Sequence, residues 1–87
     1  METKVDSDKD YIMRKSYEAL TVNETNTLSN FIVFGEDNYS FEIEDYNQKL
    51  EYLNGIIQYF EAIEEYEKCQ MLLNLKNKII EKSNNGK

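Results

Sequence analysis

Histidine and tryptophan are absent from this 87-residue chain, and arginine and cysteine occur once each, as Arg14 and Cys69. Without histidine, the usual proton shuttle and imidazole metal ligand are missing. A serine or cysteine nucleophile would have only carboxylates and lysines to activate it, so a binding protein with no cofactor is expected rather than an enzyme. One cysteine closes no intramolecular disulfide, and no charged-then-apolar leader opens the chain at Met1. Together these point to a reducing, cytoplasmic setting. Long apolar runs are missing too: the longest, Phe31-Ile32-Val33-Phe34, falls far short of the ~20 residues a membrane span requires.

What is present is a globular balance, 40% apolar and 31% charged, which suits one small folded domain rather than disorder. The net charge of −7 is unevenly placed: Met1–Leu20 carries −1, Thr21–Asn47 carries −6 and Gln48–Lys87 is neutral. The middle segment has no lysine or arginine at all. Direct binding to a phosphate backbone needs several cations, so nucleic acid is not an expected partner, while the charge is compatible with a basic protein.

Along the chain, residues 1–10 alternate charged and small polar groups around Val5 and read as a flexible tail. A short helix over Tyr11–Leu20, capped by Asp8 or Asp10, would bury Ile12 or Met13, Tyr17 and Leu20. Thr21-Val22-Asn23-Glu24 has the pattern of a capping box and favours a second helix burying Leu28, Phe31 and Ile32, with Gly35 as its C-cap. Residues 29–43 also read as a short β-hairpin, in which Tyr39, Phe41 and Ile43 face the core and Ser40, Glu42 and Glu44 face water.

From Asp45 the helical signal is clear, opening with the capping pattern Asp45-x-x-Gln48. Tyr46, Leu50, Leu53, Ile57 and Phe60 form one stripe; Tyr52, Ile56, Tyr59 and Ile63 form another beside it. A last helical segment, Tyr66–Lys82, turns Cys69, Leu72, Leu73, Ile79 and Ile80 to its apolar side and carries Lys76, Lys78 and Lys82 toward its C-terminus, where they suit the dipole. Residues 83–87 read as a polar tail. The expected architecture is therefore a mainly α domain over 11–82, with an antiparallel helical hairpin over 45–82.

The stretch Ala62-Ile63-Glu64-Glu65-Tyr66-Glu67-Lys68-Cys69-Gln70-Met71-Leu72, with Lys76 to Ile80 beyond it, resembles the UVR motif of excision-repair proteins and bacterial protease adaptors. The similarity spans Asn54 to Lys82. It implies a helical hairpin with Glu64-Glu65 as its turn, Tyr66 packed at its base, Cys69 in place of a small alanine where the helices approach, and Leu72 facing the first helix. Leu73 and Asn74 stand where the family commonly has arginine. The resemblance implies protein–protein association, not DNA repair.

A competing geometry stays open. Tyr52, Tyr59, Tyr66, Leu73 and Ile80 fall seven apart, with Ile56 and Ile63 at the matching heptad position, and neither glycine nor proline stands at Glu64-Glu65 to force a turn. One continuous helix is the alternative to the hairpin.

Of the residues that might carry chemistry, Asp6-x-Asp8-x-Asp10 begins like a calcium loop but has Tyr11 and Tyr17 where that loop needs glycine and glutamate. Cys69, on an apolar helix face, reads as a small buried hydrophobe. The functional expectation is an adaptor or assembly module that pairs with itself or a larger protein through Tyr52, Ile56, Tyr59, Ile63, Leu73 and Ile80. The plain alternative is that those side chains fill the core. A second functional reading assigns Glu36, Asp37, Glu42, Glu44 and Asp45 to a carboxylate array that imitates phosphates and blocks a nucleic-acid-binding protein, against the plain reading of a solvated surface.

Overall fold

A computed structural model describes residues 7–85 of the chain. Four helices, α1 (Ser7–Thr21), α2 (Glu24–Ser29), α3 (Tyr46–Ala62) and α4 (Tyr66–Asn85), pack around a two-stranded antiparallel hairpin of β1 (Ile32–Phe34) and β2 (Ser40–Glu42). The expected mainly α domain with a C-terminal helical hairpin is what forms.

Helix α1 starts at Ser7, earlier than the tail boundary read from sequence. Asp8 and Asp10 are therefore first-turn residues rather than caps, placed where negative charge suits the helix dipole. Residues 1–6 and 86–87 lie outside the described residues. At the other end α4 continues through Ser83 to Asn85 instead of stopping at Lys82.

Between Thr21 and Ile43 each of the two sequence readings is half right. Thr21 does not open a capping box; it ends α1, and its hydroxyl donates to the Tyr17 carbonyl at 2.8 Å. Asn23 is the cap of α2, accepting the Asn26 N–H at 3.1 Å. Weak helix formers limit α2 to six residues, and the chain then runs extended as a β-hairpin. Ile32 is exposed rather than buried. Gly35 caps no helix but opens the turn between the strands, its N–H donating to the Tyr39 carbonyl at 2.7 Å. A Cβ on Gly35 would sit 3.2 Å from the Phe41 ring, so a larger residue there would have to displace that ring by a few tenths of an ångström.

The register pairs Ile32 with Glu42, Val33 with Phe41 and Phe34 with Ser40. Phe31 and Val33 on the first strand are fully buried. Phe41 on the second, and Tyr39 just before it, do not reach the core as expected, and remain 47% and 78% exposed. The cause is lateral: α1 packs on β1, and β2 hangs beyond it as the outer strand.

The turn between α3 and α4 excludes a continuous helix. Glu64 adopts the left-handed conformation (φ 64°), its N–H donates to Glu61 O at 3.0 Å, and the Glu65 N–H donates to Phe60 O at 2.8 Å. This pair of bonds is the Schellman arrangement that ends a helix, here with glutamate where glycine is usual.

The core contains Leu20, Phe31, Val33, Leu53, Ile56, Phe60, Leu72, Leu75 and Ile79. In α4 the buried phase is Leu72, Leu75, Ile79, spaced three and four, so Leu73, expected on the apolar side, is instead 42% exposed.

Candidate functional site

Among the described residues a polar cluster, a shallow groove and an acidic β-hairpin stand out. The cluster joins α1 to the helical-hairpin turn. Arg14 donates through Nη1 to Glu65 Oε1 at 3.0 Å, through Nη2 to Glu65 Oε2, and through Nε to Asp10 Oδ2 at 2.8 Å. Tyr59 donates its hydroxyl to the other oxygen of Asp10, Lys68 pairs with Glu65 at 3.0 Å, and the Phe60 ring lies beneath the guanidinium, 5.6 Å from its centroid.

The charges respond accordingly. Arg14 and then Lys68 hold the Glu65 carboxyl down at about 2. The Tyr59 hydroxyl bond and then Arg14 lower Asp10. Burial, and then the Asp10 carboxylate, push the Tyr59 phenol up to about 12. Each group thus answers to another of the same set, which makes the cluster a clasp.

The expected docking stripe is spent inside the molecule. Ile56 is 1% exposed, and Tyr52, Tyr59 and Ile63 pack against the core. The Tyr52 ring stands edge-on to Phe31, and its hydroxyl donates to Ser16 Oγ at 3.1 Å. The stripe lies inward because α1 and the start of β1 cover it: Tyr52 meets Ser16 and Phe31, and Tyr59 meets Asp10. Leu73 alone of the six residues is well exposed, and Ile80 is half-buried on the same face of α4. The structure therefore does not gather the six into one exposed surface.

Of the positions singled out by the UVR resemblance, Glu64 and Glu65 do form the turn and Leu72 is buried in the core. Cys69 lies at the α3–α4 contact, its thiol donating to the Ile57 carbonyl at 3.4 Å and raised in pKa by burial and by Glu61. Tyr66 is not packed at the base; it is 60% exposed, because the side chains closing the turn against α1 are Glu65 and Lys68.

The calcium-like aspartates form no site among the described residues: Asp10 is committed to Arg14 and Tyr59, Asp6 lies outside those residues, and no three potential ligands converge. A shallow groove of about 240 Å³ lies between α2, the start of α3 and the end of α4, lined by Leu28, Tyr46, Lys49, Ile79, Lys82 and Ser83. No helix is long and apolar enough to cross a membrane among the described residues.

The remaining surface is the β-hairpin. Glu36 and Asp37 stand in its turn, Glu42 on β2, and Glu44 and Asp45 between β2 and α3; all five are exposed. Asp45 caps α3 by accepting the Gln48 N–H at 3.0 Å. Glu24, the sixth carboxylate of the cation-free segment, takes Lys78 from α4. The other five make no ion pair among the described residues. Among them stand Tyr39 and Phe41, which sequence alternation had assigned to the core. The missed signal was the density of carboxylates around the strand, Glu36, Asp37, Glu42, Glu44 and Asp45, which belong in water rather than beside a core.

The chain matches no known protein-family model, curated protein or solved structure. What its fold and surface define is a small mainly α domain presenting an acidic β-hairpin.

Proposed function

We propose that this chain is a non-enzymatic protein-binding module, an adaptor or assembly component, whose docking surface is the overhanging β2 side of the β1–β2 hairpin. The observation that carries the reading is the exposure of Tyr39, just before the outer strand, and of Phe41 on it, ringed by carboxylates that make no ion pair among the described residues. Aromatic side chains are costly to leave in water and are favoured anchors at interfaces. The likeness of residues 54–82 to the UVR hairpin supports association in general, with Leu73 and Tyr66 as exposed contacts on α4.

The test compares the parent with a Tyr39→Ser/Phe41→Ser variant in affinity capture from source cells, after circular dichroism shows both folded. Loss of the captured partner with the variant supports the surface. Equal capture places docking elsewhere.

A second reading, an acidic inhibitor that occupies the nucleic-acid groove of another protein, is favoured by the same five carboxylates, which make no ion pair among the described residues. It predicts binding that survives removal of Tyr39 and Phe41 but collapses when Glu36, Asp37, Glu42 and Glu44 are neutralised.

A further inference from the structure

The outer edge of β2 has a polarity that follows from its register. Gly35 N–H donates to Tyr39 O and Ile43 N–H to Phe31 O, so the odd-numbered residues of the hairpin face each other with their backbone groups. Even-numbered residues then point theirs outward. On β1 the outward groups of Phe34 are closed by a helix side chain: Ser16 Oγ accepts the Phe34 N–H at 2.9 Å and donates to its carbonyl at 3.3 Å. On β2 the outward N–H and C=O groups of Ser40 and Glu42 have no hydrogen-bond partner among the described residues.

Resting on the reading of the β-hairpin as the docking surface, we propose that β2 takes up a basic, extended peptide segment of a partner protein as a third strand. The backbone groups of Ser40 and Glu42 supply its ladder. Alternate residues on one face of the incoming strand lie beside Tyr39 and Phe41 and must be apolar; those on the other lie beside Ser40 and Glu42 and are best as lysine or arginine. Glu36 and Asp37 at one end of the strand, and Glu44 and Asp45 at the other, extend the preference for positive charge along the segment.

Charge also decides between this occupant and a second copy of the chain. Edge pairing of two β2 strands would bring five carboxylates from each copy together, with no lysine or arginine in either Thr21–Asn47 segment. Like charges at a strand edge oppose such pairing. The same charges favour a cationic strand and steer it electrostatically.

The test pans a displayed library of random heptapeptides against the full chain and measures binding of the enriched peptides by fluorescence anisotropy. The proposal expects peptides with lysine or arginine alternating with apolar residues, whose affinity falls at least about tenfold between about 50 and about 500 mM salt. N-methylation of one set of alternate residues should weaken binding at least about tenfold, while methylation of the other set is tolerated. Ser40→Pro should act like the damaging set, since it removes only an outward N–H and Tyr39 (φ −68°, ψ 127°) already has the extended conformation a residue before proline requires. Glu42→Lys/Glu44→Lys, on exposed positions, should reverse the charge preference.

Equal binding by both N-methylated sets overturns strand addition while leaving the hairpin surface standing. Enriched peptides that bind the Tyr39→Ser/Phe41→Ser variant unchanged overturn the surface itself. Enrichment of peptides without cations, no enrichment at all, or dimerisation lost in Ser40→Pro each overturn the basic strand as the occupant.

Discussion

Arg14, the chain's one arginine, grips both carboxylate oxygens of Glu65 across 51 positions of sequence and fastens the first helix to the turn of the last two. The planar fork matches the carboxylate in a way a lysine ammonium does not. Glu65 directly follows the left-handed Glu64, so the ion pair also anchors the turn that a heptad pattern had put in doubt.

The clasp should make stability fall in acid. Glu65 has its ordinary value of 4.5 when unfolded and about 2 when folded, so its contribution is present above pH 4.5 and lost as pH drops toward 2. Asp10, also lowered, acts in the same direction. Thermal melts from pH 6 to pH 2 should show a decline that is shallower in Arg14→Ala, which starts lower and has less to lose. Parallel curves for parent and variant would contradict this.

At the alkaline end the sign reverses. Tyr59 titrates near 10 when unfolded and about 12 when folded, so its contribution persists below pH 10 and disappears as pH rises to 12. Tyr59→Phe should remove that part of the alkaline decline, read as denaturant midpoint against pH, and leave the acid limb of Glu65 in place.

Much of the architecture was legible because periodicity is a local property. The helices after Asp45 follow from apolar spacing, although the same spacing fits one continuous helix and leaves the turn at Glu64-Glu65 open. What periodicity cannot supply is which face of a helix the rest of the chain will claim. Tyr52, Ile56, Tyr59 and Ile63 have the signature of a docking stripe, but α1 and β1 use that surface first. Conversely, the alternation of Tyr39, Phe41 and Ile43 shows that they share a face and says nothing of whether a helix extends far enough to cover it. The clasp was invisible for a different reason: Arg14 and Glu65 are both ordinary helix-compatible residues until the fold brings them together.

Ser16 should prove more valuable than a lone buried serine usually is. It is fully buried, accepts from the Phe34 N–H and from the Tyr52 hydroxyl at 3.1 Å, and donates to the Phe34 carbonyl. Ser16→Ala leaves the two donors without that acceptor, and the expected loss is about 1–3 kcal/mol by chemical denaturation. Ser16→Thr tests shape separately, because it keeps the hydroxyl while adding a methyl group to a closed site. A neutral alanine variant would mean that water replaces the hydroxyl.

Glu64→Gly should stabilise the chain. The backbone at φ 64° brings the side chain's Cβ against the following carbonyl, a strain of roughly 1 kcal/mol that glycine does not suffer. Glu64 is exposed and its charge makes no ion pair among the described residues, so little opposes the gain except the greater freedom of an unfolded glycine. Unfolding by urea should show a higher midpoint with unchanged slope. Glu64→Val should do the reverse, since a β-branched residue is least tolerant of that conformation.

Ile56 separates the core role of the α3 stripe from a docking role. A side chain 1% exposed and packed in the central cluster predicts that Ile56→Ala costs about 2–5 kcal/mol and that Ile56→Asp unfolds the chain, by burying a charge with no partner. Leu73→Asp, on the exposed side of α4, should leave the melting temperature within a few degrees of the parent. If Ile56→Asp instead stayed folded while losing a binding partner, α3 would have to open toward that partner, and the assignment of its second stripe to the chain's own core would fail.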